Sequence, residues 1–282
     1  MMFDRLSNLV TPLLLVQTLL VGTSVFAQEW KSGVEWPEPR VIAPGVSNSA
    51  PPSDAIVLFD GTNLSQWEGG DQWLVSDGVA IPREGGIQTK QSFGDIQLHL
   101  EWAAPSEIEG EGQGRGNSGV FLMSQYEVQI LDSYHNGTYF DGQAGAIYKQ
   151  TPPLVNAMRS PGQWNAYDII FTAPRFRVNG TLREPAHVTV IHNGVLVLNH
   201  FEILGSTGFT EAPSYKPHAE KAPISLQFHN DAVQFRNVWV REIKPIVGRR
   251  VGLPYNVERP QATNKPDPPK TSQKEKASKP TS

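Results

Sequence analysis

The spacing of apolar residues constrains this chain more than any other feature. Between residues 54 and 243 they recur at every second position or in short runs, and no segment holds a 3.6-residue apolar period with caps at both ends. Strands are therefore predicted at 56–59, 73–75, 96–102, 120–123, 126–132, 167–171, 188–191, 195–198, 224–228 and 233–243. The run at 96–102 alternates cleanly: Ile96, Leu98, Leu100 and Trp102 share one face, while Gln97, His99 and Glu101 share the other, where they read as exposed. Turn dipeptides separate the runs at Asp60-Gly61, Asp77-Gly78, Asn179-Gly180 and Asn193-Gly194, the last being a strong hairpin signal. Many strands with short turns and no helices between them imply an all-β fold, two antiparallel sheets stacked as a β-sandwich or jelly roll. Trp73, Trp102, Trp164 and Trp239 are expected to pack in or against those sheets.

The ends of the chain differ from this body. Arg5, an apolar run from Leu13 to Val25 and the small-ended Val25-Phe26-Ala27 read as an export signal cleaved after Ala27. The run is too short and polar for a membrane span, which takes about 20 apolar residues, and no later segment approaches one. The mature protein is thus expected to be secreted or periplasmic, and with no cysteine it has no disulfides. Residues 28–53, with five prolines, read as an extended leader over the domain surface. Residues 244–282 carry nine Lys or Arg against three acidic residues, a surplus of six, so a total of −4 leaves −10 on residues 1–243. The Pro-, Lys- and Ser-rich end of this tail cannot bury enough surface to order itself, and residues beyond about Val251 read as dispensable for folding. The domain proper is 54–243.

Polar residues within the body suggest a site. Glu127 and Gln129 point the same way from the 126–132 strand, and Asp132 joins them only if one residue bulges out between. Asn117-Ser118-Gly119 precedes that strand, and the segments 107–116 and 135–155 are longer than hairpins need, so they read as functional loops bordering a groove. Those loops offer Arg115 as a hydrogen-bond donor and His135, Tyr139, Tyr148 and Lys149 as a rim carrying aromatic rings. Gln227 and His229 project from one face of a late strand, and histidine exchanges protons near neutral pH. Arg236 either binds a substrate oxygen or braces its strand. Ordinary alternatives stand beside each choice: a half-buried polar face for Glu127 and Gln129, and turn chemistry for Asn117 and Arg115. Carboxylates, amides and histidine are chemically able to hold a hard divalent cation, but no motif has ligand spacing that demands one, so the metal question stays open. There is no phosphate-cradling loop, no dinucleotide fingerprint and no basic aromatic face for nucleic acid.

Taken in order, Leu58-Phe59-Asp60-Gly61-Thr62-Asn63-Leu64 with Trp67, then Trp73 to Gly78, Phe93 to Trp102, Asn117-Ser118-Gly119-Val120, Tyr126 to Asp132, Trp164-Asn165, Asn193-Gly194, Leu226 to His229 and Phe235 to Val238 resemble the 3-keto-disaccharide hydrolase domain family. The resemblance spans about Ala55 to Ile243. It implies a concanavalin A-like jelly roll that cleaves sugars already oxidised to a ketone at carbon 3, and hence a separate sugar 3-oxidase upstream. The ketone acidifies the hydrogen on carbon 2, so a base removes it, the oxygen on carbon 1 leaves by elimination, and water adds back. Such a site needs a base, a donor or cation at the ketone oxygen, and an acid for the leaving oxygen. Glu127, His229 and Asp132 are the catalytic candidates under this reading; Asn117, Gln129, Gln227, Arg115, Tyr148, Lys149 and Arg236 are the substrate-binding ones. Two rivals remain open: a non-catalytic carbohydrate-binding jelly roll, and a conventional retaining glycosidase, whose acid-x-acid-x-x-acid strand departs here at Gln129 and Asp132.

Overall fold

The structure is a computed structural model and describes residues 26–260. The export signal expected at 1–27, but for Phe26 and Ala27, and the tail end from 261 onward lie outside the described residues. Contacts divide the chain into two units, one made of the two ends and one spanning Pro39–Pro245.

The larger unit is the all-β sandwich that the alternation predicts, with no α-helix among the described residues. Its larger sheet runs, in spatial order, Val195–Glu202, His187–His192, Asn165–Thr172, Ile96–Ala103, Gln234–Glu242, Val79–Pro82 and Trp73–Ser76, with Ile56–Phe59 also pairing with Gln234–Glu242. The smaller sheet runs Tyr126–Ile130, Ser118–Leu122, Ser225–Leu226, Ile87–Thr89 and Trp67–Glu68. Every pairing in both sheets is antiparallel. Two hairpins turn at Asp77-Gly78 and Asn193-Gly194, where both residues take positive φ, the conformation that matches the right-handed twist of the strands they join.

The core lies between the sheets. Ile96, Leu98, Leu100 and Trp102 point into it from the large sheet, and Val120, Leu122, Tyr126, Val128 and Ile130 meet them from the small one. Burying several such side chains at roughly 1.5–3 kcal/mol each is the main force holding the layers together. The buried Tyr167 hydroxyl crosses the sandwich and donates to the Gln129 carbonyl at 2.8 Å, fixing the strand that carries the site candidates.

On the far face of the large sheet His99 differs from its expected exposure: it is 1% exposed. Its ring stacks on Trp239, and its Nδ1 lies 2.7 Å from Asp168 Oδ1. Residues 39–55 account for the cover. The Ser49 carbonyl accepts from Asn237 Nδ2 and Trp239 Nε1, both at 2.9 Å, and Asp54 takes a two-pronged bond from Arg241.

The smaller unit joins segments that the sequence reading kept apart as leader and tail. Phe26–Lys31 pairs with Tyr255–Pro260, and Val34–Glu35 with Arg249–Arg250, both antiparallel. Composition does not mark this pairing, because the ladder is built of backbone bonds; Arg249 and Glu35 add an ion pair across it. Among the described residues no helix is long and apolar enough to cross a membrane.

Candidate active site

The outer face of the small sheet carries a cleft of about 240 Å³, and strand register explains its lining. Glu127 pairs with Phe121, which pairs with Ser225. Gln129 pairs with Gly119, whose carbonyl accepts from the Gln227 amide at 3.0 Å. The edge of the sheet is extended by residues 145–148: Val128 bridges to Ile147, and the Tyr148 amide donates to the Glu127 carbonyl at 3.2 Å. Alternation then sets Tyr148, Glu127 and Phe121 in one row and Gln129, Gly119 and Gln227 in the next, all facing outward. Asn117 and His229 complete the lining toward one end, and Thr207, Gly208 and Phe209 wall it from a loop.

Glu127 is the chemical centre of this cleft. It is 6% exposed, and among the described residues no side chain or amide donates to its carboxyl group. Burial alone pushes its pKa up to about 8, since removing a carboxylate from water penalises the charged form. Gly119 makes room for it: a Cβ there would lie 2.4 Å from Glu127 Oε1. The Glu127 amide donates to Thr207 Oγ1 at 3.1 Å, which ties the loop to the strand. A second unmet group sits close by, the buried Gln227 Oε1, which accepts nothing from the protein. A buried acceptor without a donor costs about 1–3 kcal/mol, so a ligand hydroxyl in the cleft would relieve it.

Six of the ten sequence-derived site residues therefore line this cleft: Glu127, Gln129, Asn117, Gln227, His229 and Tyr148. Within it Gln129 is already engaged, giving Nε2–H to Gln113 Oε1 at 3.0 Å and accepting from the Ile130 amide at 3.1 Å. Asn117 is held likewise, donating to the Gln113 carbonyl at 2.7 Å. His229 is exposed at the mouth. Lys149 stands behind the wall with its Nζ 3.6 Å from the centroid of the Tyr139 ring.

Three candidates lie elsewhere. Asp132 does not share the cleft: it follows the paired stretch Tyr126–Ile130 and lines a different depression. It accepts from Arg115 Nε at 2.7 Å and the Tyr134 amide at 3.1 Å, and with Arg115 it lines a separate depression of about 270 Å³. A buried carboxylate so paired is satisfied by the protein. Arg115 is committed to that pair and to the Tyr134 carbonyl. Arg236 sits on the large sheet, bonded to Glu101 at 2.6 Å and stacked 4.0 Å from the Trp164 ring, which is the bracing role. Sequence reasoning missed Phe121, Thr207, Gly208, Phe209 and the brace Gln113. The loop residues had no pattern to give them away; Phe121, in alternation with Gly119, could have been found from the strand itself.

Among the described residues, no group of three or more His, Asp or Glu side chains is placed to hold a metal ion. The cleft offers one poised carboxyl, an unmet amide oxygen, a phenol and an imidazole.

Comparison with known proteins agrees in class. Residues 54–241 match the 3-keto-alpha-glucoside-1,2-lyase-like domain, and the chain belongs to that family. A candidate glycosyl hydrolase from Parabacteroides distasonis ATCC 8503 is 51% identical, with a TM-score of 0.71 over 73% of this chain and 93% of that one. A second candidate glycosyl hydrolase from the same organism shares the fold at 20% identity, with a TM-score of 0.50 over 67% of this chain and 94% of its own. No curated protein matches the chain.

Proposed function

We propose that this protein cleaves 3-keto-glycosides by removing the proton on carbon 2, with Glu127 as the base. The observation that carries this reading is the state of Glu127: buried, without a donor, and raised to about 8 in a sugar-sized cleft. Its conjugate base is stronger than an ordinary carboxylate, which suits abstraction from a carbon beside a ketone. The carbon 2 hydrogen passes to Glu127, and its electron pair forms the enolate of the carbon 3 ketone. The enolate then collapses, the bond from carbon 1 to the glycosidic oxygen breaks, and His229 at the mouth gives that oxygen its proton. Water adding to the resulting enone completes hydrolysis. Gln227 Oε1 accepts from a sugar hydroxyl, and Asn117 lines the same end.

A retaining glycosidase would need two carboxyl groups about 5–5.5 Å apart. Glu127 is the one acidic residue lining this cleft, and Asp132 is bound to Arg115 in the other depression. In the same reading the protein acts after export, and a sugar 3-oxidase supplies its substrate. Incubation with a 3-keto-disaccharide beside its unoxidised parent tests the proposal: cleavage of the ketone alone is expected. Equal cleavage would favour an ordinary glycosidase, and binding of either sugar without turnover a carbohydrate-binding module.

A further inference from the structure

Abstraction at carbon 2 moves negative charge onto the ketone oxygen of carbon 3, and something must receive it. The charge develops on the oxygen of the carbon next to the one that faces Glu127, so the receiving group must converge with Glu127 on substituents of adjacent carbons. Residues directly opposite on antiparallel strands, with Cβ atoms about 4.5–5.5 Å apart, are placed to do that. Tyr148 is opposite Glu127 in the 145–148 extension and lines the same cleft.

We propose that the Tyr148 hydroxyl donates to the carbon 3 oxygen of the substrate as the enolate forms, and that Tyr139 positions it. The assignment rests on the elimination reading above. The two phenol oxygens are 2.7 Å apart and share one hydrogen bond. Lys149 Nζ lies against the Tyr139 ring at 3.6 Å, and a cation there draws electron density from the phenol and makes Tyr139 the better donor of the pair. Tyr139 therefore donates to Tyr148, and the Tyr148 proton is left for the cleft.

The local backbone is built around this arrangement. Lys149 has a φ of 61°, a left-handed conformation uncommon for lysine, and its amide donates to the Asp141 carbonyl at 2.9 Å. Gly142 lets the Tyr139 ring lie against its own turn, where a Cβ would come within 2.2 Å of Tyr139 Cε2. Gln113 Nε2 donates to the Gly142 carbonyl at 2.9 Å and fixes the turn. Burial holds the Tyr148 phenol above its ordinary value, so it stays protonated across the working range. A neutral phenol at a forming enolate needs no charged partner in the cleft and remains a hydrogen-bond donor throughout the step.

Tyr148→Phe removes one oxygen and keeps the ring. With a 3-keto-disaccharide as substrate, its kcat should fall by about 10²–10³-fold, the scale of a lost oxyanion donor, while KM stays within about threefold. Tyr139→Phe, which alters only the aim of Tyr148, should lower kcat by roughly tenfold with KM and melting temperature unchanged, whereas a purely structural role would move all three. A Tyr148→Phe enzyme with kcat within about threefold of wild type overturns the assignment. So does wild-type activity abolished by a chelator and restored by a divalent cation while Tyr148→Phe has no effect, because a cation then receives the charge. If the wild-type protein exchanges no label at carbon 2, the elimination reading itself fails; if it exchanges label and Tyr148→Phe does so equally fast, only the role of Tyr148 fails.

Discussion

At the residue scale, the site depends on one carboxyl group kept away from water and from donors. The proposed base works only when ionised, so kcat/KM should climb with pH toward about 8 as Glu127 loses its proton, until the need for a protonated acid limits it. A rate that levels off near pH 5 would show Glu127 ionised as an ordinary surface acid. Gly119→Ala tests the space that admits this carboxyl, since the new methyl would fall 2.4 Å from Glu127 Oε1. The expected result is at least a tenfold loss in kcat/KM with about 1–3 kcal/mol of destabilisation, the usual cost of overpacking; unchanged kinetics would mean that the carboxyl moves aside freely. Glu127, Gln227 and His229 were legible in the sequence because alternation fixes which side chains share a face. Asp132 was misplaced by the same logic, as its sharing of the face required a bulge that spacing permits but does not demand. Whether a polar side chain is satisfied by its neighbours depends on partners far away in sequence, so the commitment of Arg115 to Asp132 and of Arg236 to Glu101 was hidden.

At the element scale, strands and hairpins were the readable part, since a period of two and an Asn-Gly turn are local signals. The short strands Trp67–Glu68, Val79–Pro82 and Ile87–Thr89 were not read, being too brief to show alternation. The extension at 145–148 was also missed, although it places Tyr148 beside Glu127. The segment 39–55 has a role its proline content conceals: it covers the His99 and Trp239 face with bonds from its own backbone and from Asp54. A chain begun at Ala55 should lose those bonds and the apolar cover over Trp239. Such a loss, on the order of 2 kcal/mol, should lower the melting temperature by about 4–8 °C for a domain of this size. An unchanged melting temperature would show that the segment lies on the sheet without stabilising it.

At the scale of the whole molecule, two buried groups set opposite limits on stability with pH. Glu127 has a folded pKa of about 8 against an ordinary 4.5, so the folded protein binds the extra proton and stability falls as pH rises from 4.5 to 8. His192 is the reverse case: burial, then the nearby Arg159 charge, lowers it from 6.5 to about 3, so the unfolded chain binds the extra proton and stability falls as pH drops from 6.5 to 3. The opposing slopes overlap between 4.5 and 6.5, and denaturant unfolding should show a broad maximum there. Glu127→Gln should remove the decline on the alkaline side; a decline that persists in that variant would place its origin in another group.

Proton removal from carbon 2 by Glu127 is the central step of the proposed reaction. Its most direct measurement follows a 3-keto-disaccharide in deuterated water with the wild-type protein and with Glu127→Gln, reading label at carbon 2 of the recovered sugar and the rate of cleavage together. The account predicts deuterium at carbon 2 and cleavage with the wild type, and a loss of at least about a hundredfold in both with the variant, while the sugar still binds. Cleavage by the wild type with no label at carbon 2, or a Glu127→Gln protein that exchanges and cleaves at the wild-type rate, would contradict it.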